Sequence, residues 1–142
     1  METIILGGGC FWCLDEKFQR VTGVEKVISG YSGGQTKNPT YKEICTGNTG
    51  HAEVLKIEFE NIKISLDEIL DIFWQIHDPT TLNRQGNDVG TQYRSVIYYM
   101  EKSQEPIIKK SLKDFENSAF YKNPIITEIK QLDKFYSAED YH

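Results

Sequence analysis

The sequence predicts an α+β fold: an α/β sandwich with helices packed on one ferredoxin-like sheet, mixed or antiparallel, and long functional loops between the elements. Three observations carry that expectation. The chain has 142 residues, the length of one ordinary domain, so residues 1–142 are read as a single unit. Hydrophobic residues make up 39% and charged residues 26%, a mixture that builds a packed core without staples. Apolar residues recur with period two in some segments and at helical spacing in others, in the order β-α-β-β-α-β-α-β.

Taken in order, residues 3–6 form a short apolar strand. Phe11, Leu14, Phe18 and Val21 follow at helical spacing, with Arg20 late and Gly23 as the stop. Residues 24–29 read as a second strand. Leu55, Ile57 and Phe59 alternate with Lys56, Glu58 and Glu60, which makes a half-buried strand. Ser65 and Glu68 form a capping box before Leu66, Ile69, Leu70, Phe73 and Ile76, and Pro79 ends that helix. Residues 95–100 are a strand, Ser103 opens a helix with Ile108, Leu112 and Phe115 on one face, and residues 125–132 are the last strand. Glycines cluster in three segments and none follows residue 90, which places the functional loops early.

Composition removes several function classes. The net charge of −5 is spread without a basic run, against a nucleic-acid partner. No apolar stretch approaches the roughly 20 residues that span a bilayer. The start METIILGGG lacks the basic and apolar regions of an export signal, so a cytoplasmic protein is expected. Three cysteines, Cys10, Cys13 and Cys45, are a poor disulfide framework and suit a reducing compartment.

Residues 7–13, GGGCFWC, bring a strand through three glycines to a cysteine at the mouth of a helix. The helix end favours thiolate over thiol, and the glycines open the approach to the sulfur, so Cys10 is a candidate nucleophile rather than a small buried hydrophobe. Cys13 lies one turn on, near enough for a disulfide with modest adjustment. Phe11 belongs to the apolar stripe. Trp12 lies off it, either walling a pocket beside the sulfur or lidding the core. Glu53 shares the parity of Leu55, Ile57 and Phe59; a carboxyl on that apolar face has a raised pKa and suits general-acid work. An exposed glutamate at the strand end is the plainer reading, and His51 has the same parity. Cys10, Cys13, Cys45 and His51 make a poor zinc set, because the late ligands are not closely paired. In the polar segment 83–95, Asp88 and Tyr93 are hydrogen-bonding candidates, on spacing no better than Arg84 or Gln92.

GCFWC, NPTYKEICTGNTGHAE, RQGNDVGTQYRS and FYSAEDYH, in that order and spacing, closely resemble the A-type peptide methionine sulfoxide reductases from residue 4 to residue 142. The resemblance implies reduction of the S epimer of methionine sulfoxide, free or in proteins, as repair after oxidative stress. It implies Cys10 as the nucleophile and Glu53 as the acid that protonates the sulfoxide oxygen. It also implies Tyr41 and Tyr93 as donors to that oxygen, Asp88 as a polarising carboxylate, and Phe11 and Trp12 as the wall that receives the methyl group. Cys10 would become a sulfenic acid, reset through a disulfide by thioredoxin or another thiol reductant, with no metal or tightly bound cofactor and a monomeric enzyme. Many relatives continue past AEDYH into a glycine-rich tail with resolving cysteines, which this sequence does not show. The expected resolver is either Cys13, at a position often glycine in relatives, or an external thiol, and Cys45 is expected to pack. A thioredoxin-like CxxC oxidoreductase is the alternative, and a non-catalytic peptide-binding module a third reading.

Overall fold

The computed structural model describes residues 1–138; residues 139–142, the end of the FYSAEDYH block, lie outside the described residues. The first half of the chain forms β1 (Glu2–Gly7), α1 (Phe11–Gln19), β2 (Val24–Ser32), α2 (Tyr41–Cys45), β3 (Ala52–Phe59) and α3 (Leu66–Ile76). The second half forms a small hairpin of β4 (Arg84–Gln85) and β5 (Asp88–Val89), and a 3₁₀ turn at Thr91–Tyr93. β6 (Val96–Tyr99), α4 (Gln104–Asn117), β7 (Glu128–Gln131) and β8 (Phe135–Ser137) complete it.

Six strands make the main sheet in the order β7-β6-β1-β3-β2-β8. Every neighbouring pair is antiparallel except β6 with β7, so the sheet is mixed. β1, α1, β2, β3, α3 and β6 alone form the βαββαβ unit with internal strand order 6-1-3-2, which is the ferredoxin-like arrangement.

Register decides which side chains face the helices. Ile4 lies opposite Ile57 and Tyr99, and Leu6 opposite Leu55 and Ile97. These residues join Phe11, Leu14 and Phe18 of α1 and Leu70, Phe73 and Trp74 of α3 in one buried cluster. Each fully buried side chain of this size contributes about 1.5–3 kcal/mol. Ile5, Val54, Val96 and Tyr98 take the opposite parity and form a smaller cluster on the other face. Glu53 has the parity of Leu55, one alternation beyond it, so the helix-side core ends in a carboxyl group.

Several boundaries differ from the sequence expectation. β2 continues to Ser32, because β3 supplies partners as far as Ala52. The expected strand at residues 125–132 narrows to Glu128–Gln131; Ile126 instead gives its N–H to the Pro79 carbonyl at 2.9 Å. The segment 83–95, read as a polar loop, is the β4–β5 hairpin followed by the 3₁₀ turn. β8 and α2, with three and five residues, are too short to show a period.

Candidate active site

β1 ends at Gly7, and Gly8 and Gly9 turn the chain into α1. Gly8 lies flat under the His77 ring, where an added Cβ would stand 2.5 Å from Cδ2. Gly9 has φ +91°, a conformation that a side chain would strain. These constraints leave Cys10 half-buried at the N-cap of α1, its carbonyl accepting from the Cys13 N–H at 3.2 Å. The helix end was expected to hold the sulfur as thiolate. Burial outweighs it and raises the thiol above its ordinary value, although the amides of Trp12 and Cys13 hydrogen-bond the sulfur and pull the other way. Charge on Cys13 and on Glu53 adds to the rise.

Glu53 is 1% exposed. Its Oε1 accepts the N–H of Phe11 at 3.3 Å, the residue next to Cys10, so β3 delivers the carboxyl to the first turn of α1. Oε2 has no hydrogen-bond partner among the described residues. Burial lifts this carboxyl from an ordinary 4.5 to about 7; the Phe11 N–H works against the shift and the Asp88 charge adds to it. A buried acid with one unpartnered oxygen can donate a proton to a group placed against it.

An aromatic wall stands beside these groups. Trp12 lies 5.8 Å from Phe11 and 5.9 Å from Tyr41 between ring centroids, stacked on the latter, and Phe11 also packs on Tyr31 at 5.7 Å. Phe11 is buried, whereas Trp12 is 45% exposed. This placement, against Phe11 and Tyr41 yet partly in solvent, is common to both sequence readings, a pocket wall and a lid on the core. α2 supplies Tyr41, and its start is fixed by a capping box between Thr40 and Glu43. Burial, then a hydrogen bond to Cys45, holds the Tyr41 hydroxyl above its ordinary value. The Tyr93 hydroxyl is raised by burial and then by the charges of Glu53, Asp88, Cys45 and Cys10. Both phenols therefore keep their protons and can donate a hydrogen bond. Asp88 lies in β5, exposed, paired in register with Gln85.

The structure thus brings Cys10, Glu53, Tyr41, Tyr93, Asp88, Phe11 and Trp12 into one place. Cys13 is exposed, and it lines with Cys10 a cavity of about 180 Å³ bordered by Gly9, Lys17 and His77. Cys45 corrects an expectation: it is exposed rather than packed, because a five-residue helix cannot bury both faces, and it meets Tyr41 one turn away. His51 is committed elsewhere. Its Nδ1 accepts from Gly34 N–H at 3.0 Å and its Nε2 lies 2.6 Å from the Thr36 carbonyl, so it braces the β2–α2 connection. Among the described residues no group of three or more His, Cys, Asp or Glu side chains could hold a metal ion.

Two residues that sequence reasoning passed over shape the site. Gln85 uses both ends of its amide on Asp78, accepting its N–H at 2.8 Å and donating to its carbonyl at 2.5 Å. Its methylenes press on Gly9, where an added Cβ would meet Cγ at 2.9 Å. Gly9 also gives its N–H to the Tyr93 carbonyl at 3.2 Å, so the segment carrying Asp88 and Tyr93 clamps the turn before Cys10. His77 lies stacked on Phe73 at 4.0 Å and is bound to the Phe73 carbonyl and the Ser95 hydroxyl at 2.6 and 2.7 Å. Burial keeps it neutral down to about 4. No spacing marks either residue; the dipeptide His77–Asp78 before Pro79 was the nearest signal.

Residues 2–142 match the family model of peptide methionine sulfoxide reductases. A peptide methionine sulfoxide reductase of Trichodesmium erythraeum is 54% identical over 142 residues, covering 100% of this chain and 80% of that one. The reduced form of Mxr1 from Saccharomyces cerevisiae superposes with a TM-score of 0.93 at 34% identity, over 99% of this chain and 81% of that one. The same yeast protein is also known in complex with Trx2, with a TM-score of 0.72 at 24% identity over 98% of this chain and 81% of that one.

Proposed function

The chain belongs to the peptide methionine sulfoxide reductase family, and we propose that it reduces the S epimer of methionine sulfoxide with Cys10 as nucleophile and Glu53 as acid. The methyl group of the substrate lies against Phe11 and Trp12. Its oxygen meets the free Oε2 of Glu53 and the hydroxyls of Tyr41 and Tyr93, while burial, and behind it the Asp88 charge, raises the hold of the acid on its proton. The Cys10 sulfur attacks the sulfoxide sulfur as Glu53 protonates the oxygen, which leaves poorly without that proton. The protonated oxygen then passes as hydroxide to the Cys10 sulfur while the new S–S bond breaks, its electron pair going to the substrate sulfur. Methionine departs and Cys10 is left as a sulfenic acid.

Cys13 then attacks the sulfenic sulfur, water leaves, and a Cys10–Cys13 disulfide forms. Their shared cavity supports this pairing. Two electrons from thioredoxin or another dithiol restore both thiols, a role for which the known complex of Mxr1 with Trx2 is the relevant parallel. The enzyme works as a monomer in the cytoplasm, where its free cysteines stay reduced. No helix among the described residues is long and apolar enough to cross a membrane.

The observation that carries this reading is the unpartnered, buried Oε2 of Glu53 beside the Cys10 turn. Each epimer of N-acetylmethionine sulfoxide, incubated with the folded protein and dithiothreitol, tests it. Conversion of the S epimer alone is expected, and Cys10→Ser should abolish it. No S-epimer reduction would sink the proposal. Cys13→Ser should still release one methionine per chain and stop there when thioredoxin is the only reductant. Full thioredoxin-driven turnover by that variant would remove Cys13 from the cycle.

A further inference from the structure

The chain has two methionines, Met1 and Met100, and neither is in the core, which is filled by Ile, Leu, Val, Ala and aromatic side chains. A thioether is a ready gap-filler for cores and is also the side chain that peroxides convert to a polar sulfoxide. Met1 is 69% exposed and Met100 38%, and the two line one open cavity of about 360 Å³ at the start of β1. The fold has therefore gathered every oxidisable thioether at one wet surface, away from the packing that oxidation would disrupt.

We infer that Met100 is a reversible sulfoxidation site of this protein and that its sulfoxide is a substrate for a second copy of the same chain. The inference rests on the reductase reading above. Hydrogen peroxide supplies the oxygen: the thioether sulfur is oxidised to sulfoxide and the peroxide is reduced to water. The Met100 side chain has the cavity to move in, and Thr3, Asn61 and Ser103 around it provide polar neighbours for the new oxygen. The backbone stays anchored, since the Met100 N–H donates to Gln104 Oε1 at 2.8 Å and Gln104 Nε2 donates to the Thr3 carbonyl at 2.9 Å.

Repair must come from another molecule. Tyr99 pairs with Ile4, so Met100 lies beside Thr3, at the opposite end of β1 from Gly7. The four steps of strand from Thr3 to Gly7 span about 13 Å, and Cys10 lies beyond them. The active-site sulfur of a chain cannot reach its own Met100.

Cys10→Ser protein, which cannot repair itself, is treated with hydrogen peroxide and its Met100 peptide followed by mass spectrometry. Unmodified chain in catalytic amount is then added with dithiothreitol, alongside a separate sample of N-acetylmethionine S-sulfoxide. One oxygen is expected on Met100, and about half of that signal should disappear, because only one of the two epimers is a substrate. An unoxidised Met100 beside an oxidised Met1 overturns the inference, as does a Met100 sulfoxide that persists while the small substrate is reduced. A small substrate left unreduced overturns the reductase reading itself.

Discussion

Glu53 buries a carboxyl that prefers to keep its proton. Its folded value of about 7 stands above the ordinary 4.5, so the folded chain binds that proton more tightly than the unfolded one. The resulting stability is complete below 4.5 and is lost as pH rises to about 7. Glu53→Gln keeps an acceptor for the Phe11 N–H and removes the titration. At about 1.4 kcal/mol for each pKa unit, it should raise stability at pH 8 by up to about 3 kcal/mol and leave it unchanged at pH 4. Urea unfolding at the two pH values checks this. The same variant should lose about 10²- to 10⁴-fold in the reduction step, the usual worth of a positioned acid. A gain in stability coupled to a loss in rate marks a group placed for chemistry rather than packing.

The β4–β5 hairpin turns a local contact into site geometry. Gln85 joins Asp78, Gly9 and, through register, Asp88. Gln85→Ala removes two hydrogen bonds worth about 1 kcal/mol each and frees the hairpin from the Cys10 turn. Stability should fall by about 1–2 kcal/mol, and the pKa of Glu53 should move down as Asp88 drifts away; thermal unfolding and the pH dependence of the rate report the two effects separately. The elements differ in how legible they were. The capping box at Ser65–Glu68 stood before eleven residues of clear periodicity, so α3 could be read at once. The same box at Thr40–Glu43 opened only five residues, and without a period behind it α2 passed as loop. Glu53 was readable because a strand alternates strictly and Leu55, Ile57 and Phe59 fixed the buried parity. Gln85 and Cys45 were not, because their positions depend on how the sheet, the hairpin and α2 meet, which no local pattern encodes. Tyr41 was visible only through family likeness.

Over the whole molecule two buried titrations oppose each other. His77 falls from 6.5 to about 4 on folding, so the unfolded chain binds its proton more tightly there, and stability rises with pH across that window. Glu53 gives the opposite slope between 4.5 and about 7. Each is worth about 1.4 kcal/mol per pH unit, and they cancel between 4.5 and 6.5. The chain should show nearly level stability there, while Glu53→Gln should gain stability with rising pH across the same range; denaturant midpoints at half-unit steps would show it. A related sharing enters the proposed reduction. Glu53 titrates near 7 and burial raises the Cys10 thiol above its ordinary value, so between the two titrations the pair holds one proton. The reactive arrangement, with Cys10 ionised and Glu53 protonated, has the same proton count as the resting one and so keeps a constant share across that range. The decisive measurement is the single-turnover rate of methionine formation from the S-sulfoxide against pH, for the chain and for Glu53→Gln. The shared proton predicts a rate that rises through about 7, levels, and declines only where the raised Cys10 thiol itself ionises, with the level part lowered about 10²- to 10⁴-fold in the variant. A rate that climbs steadily with the thiolate, without levelling, and is the same in both proteins would contradict it.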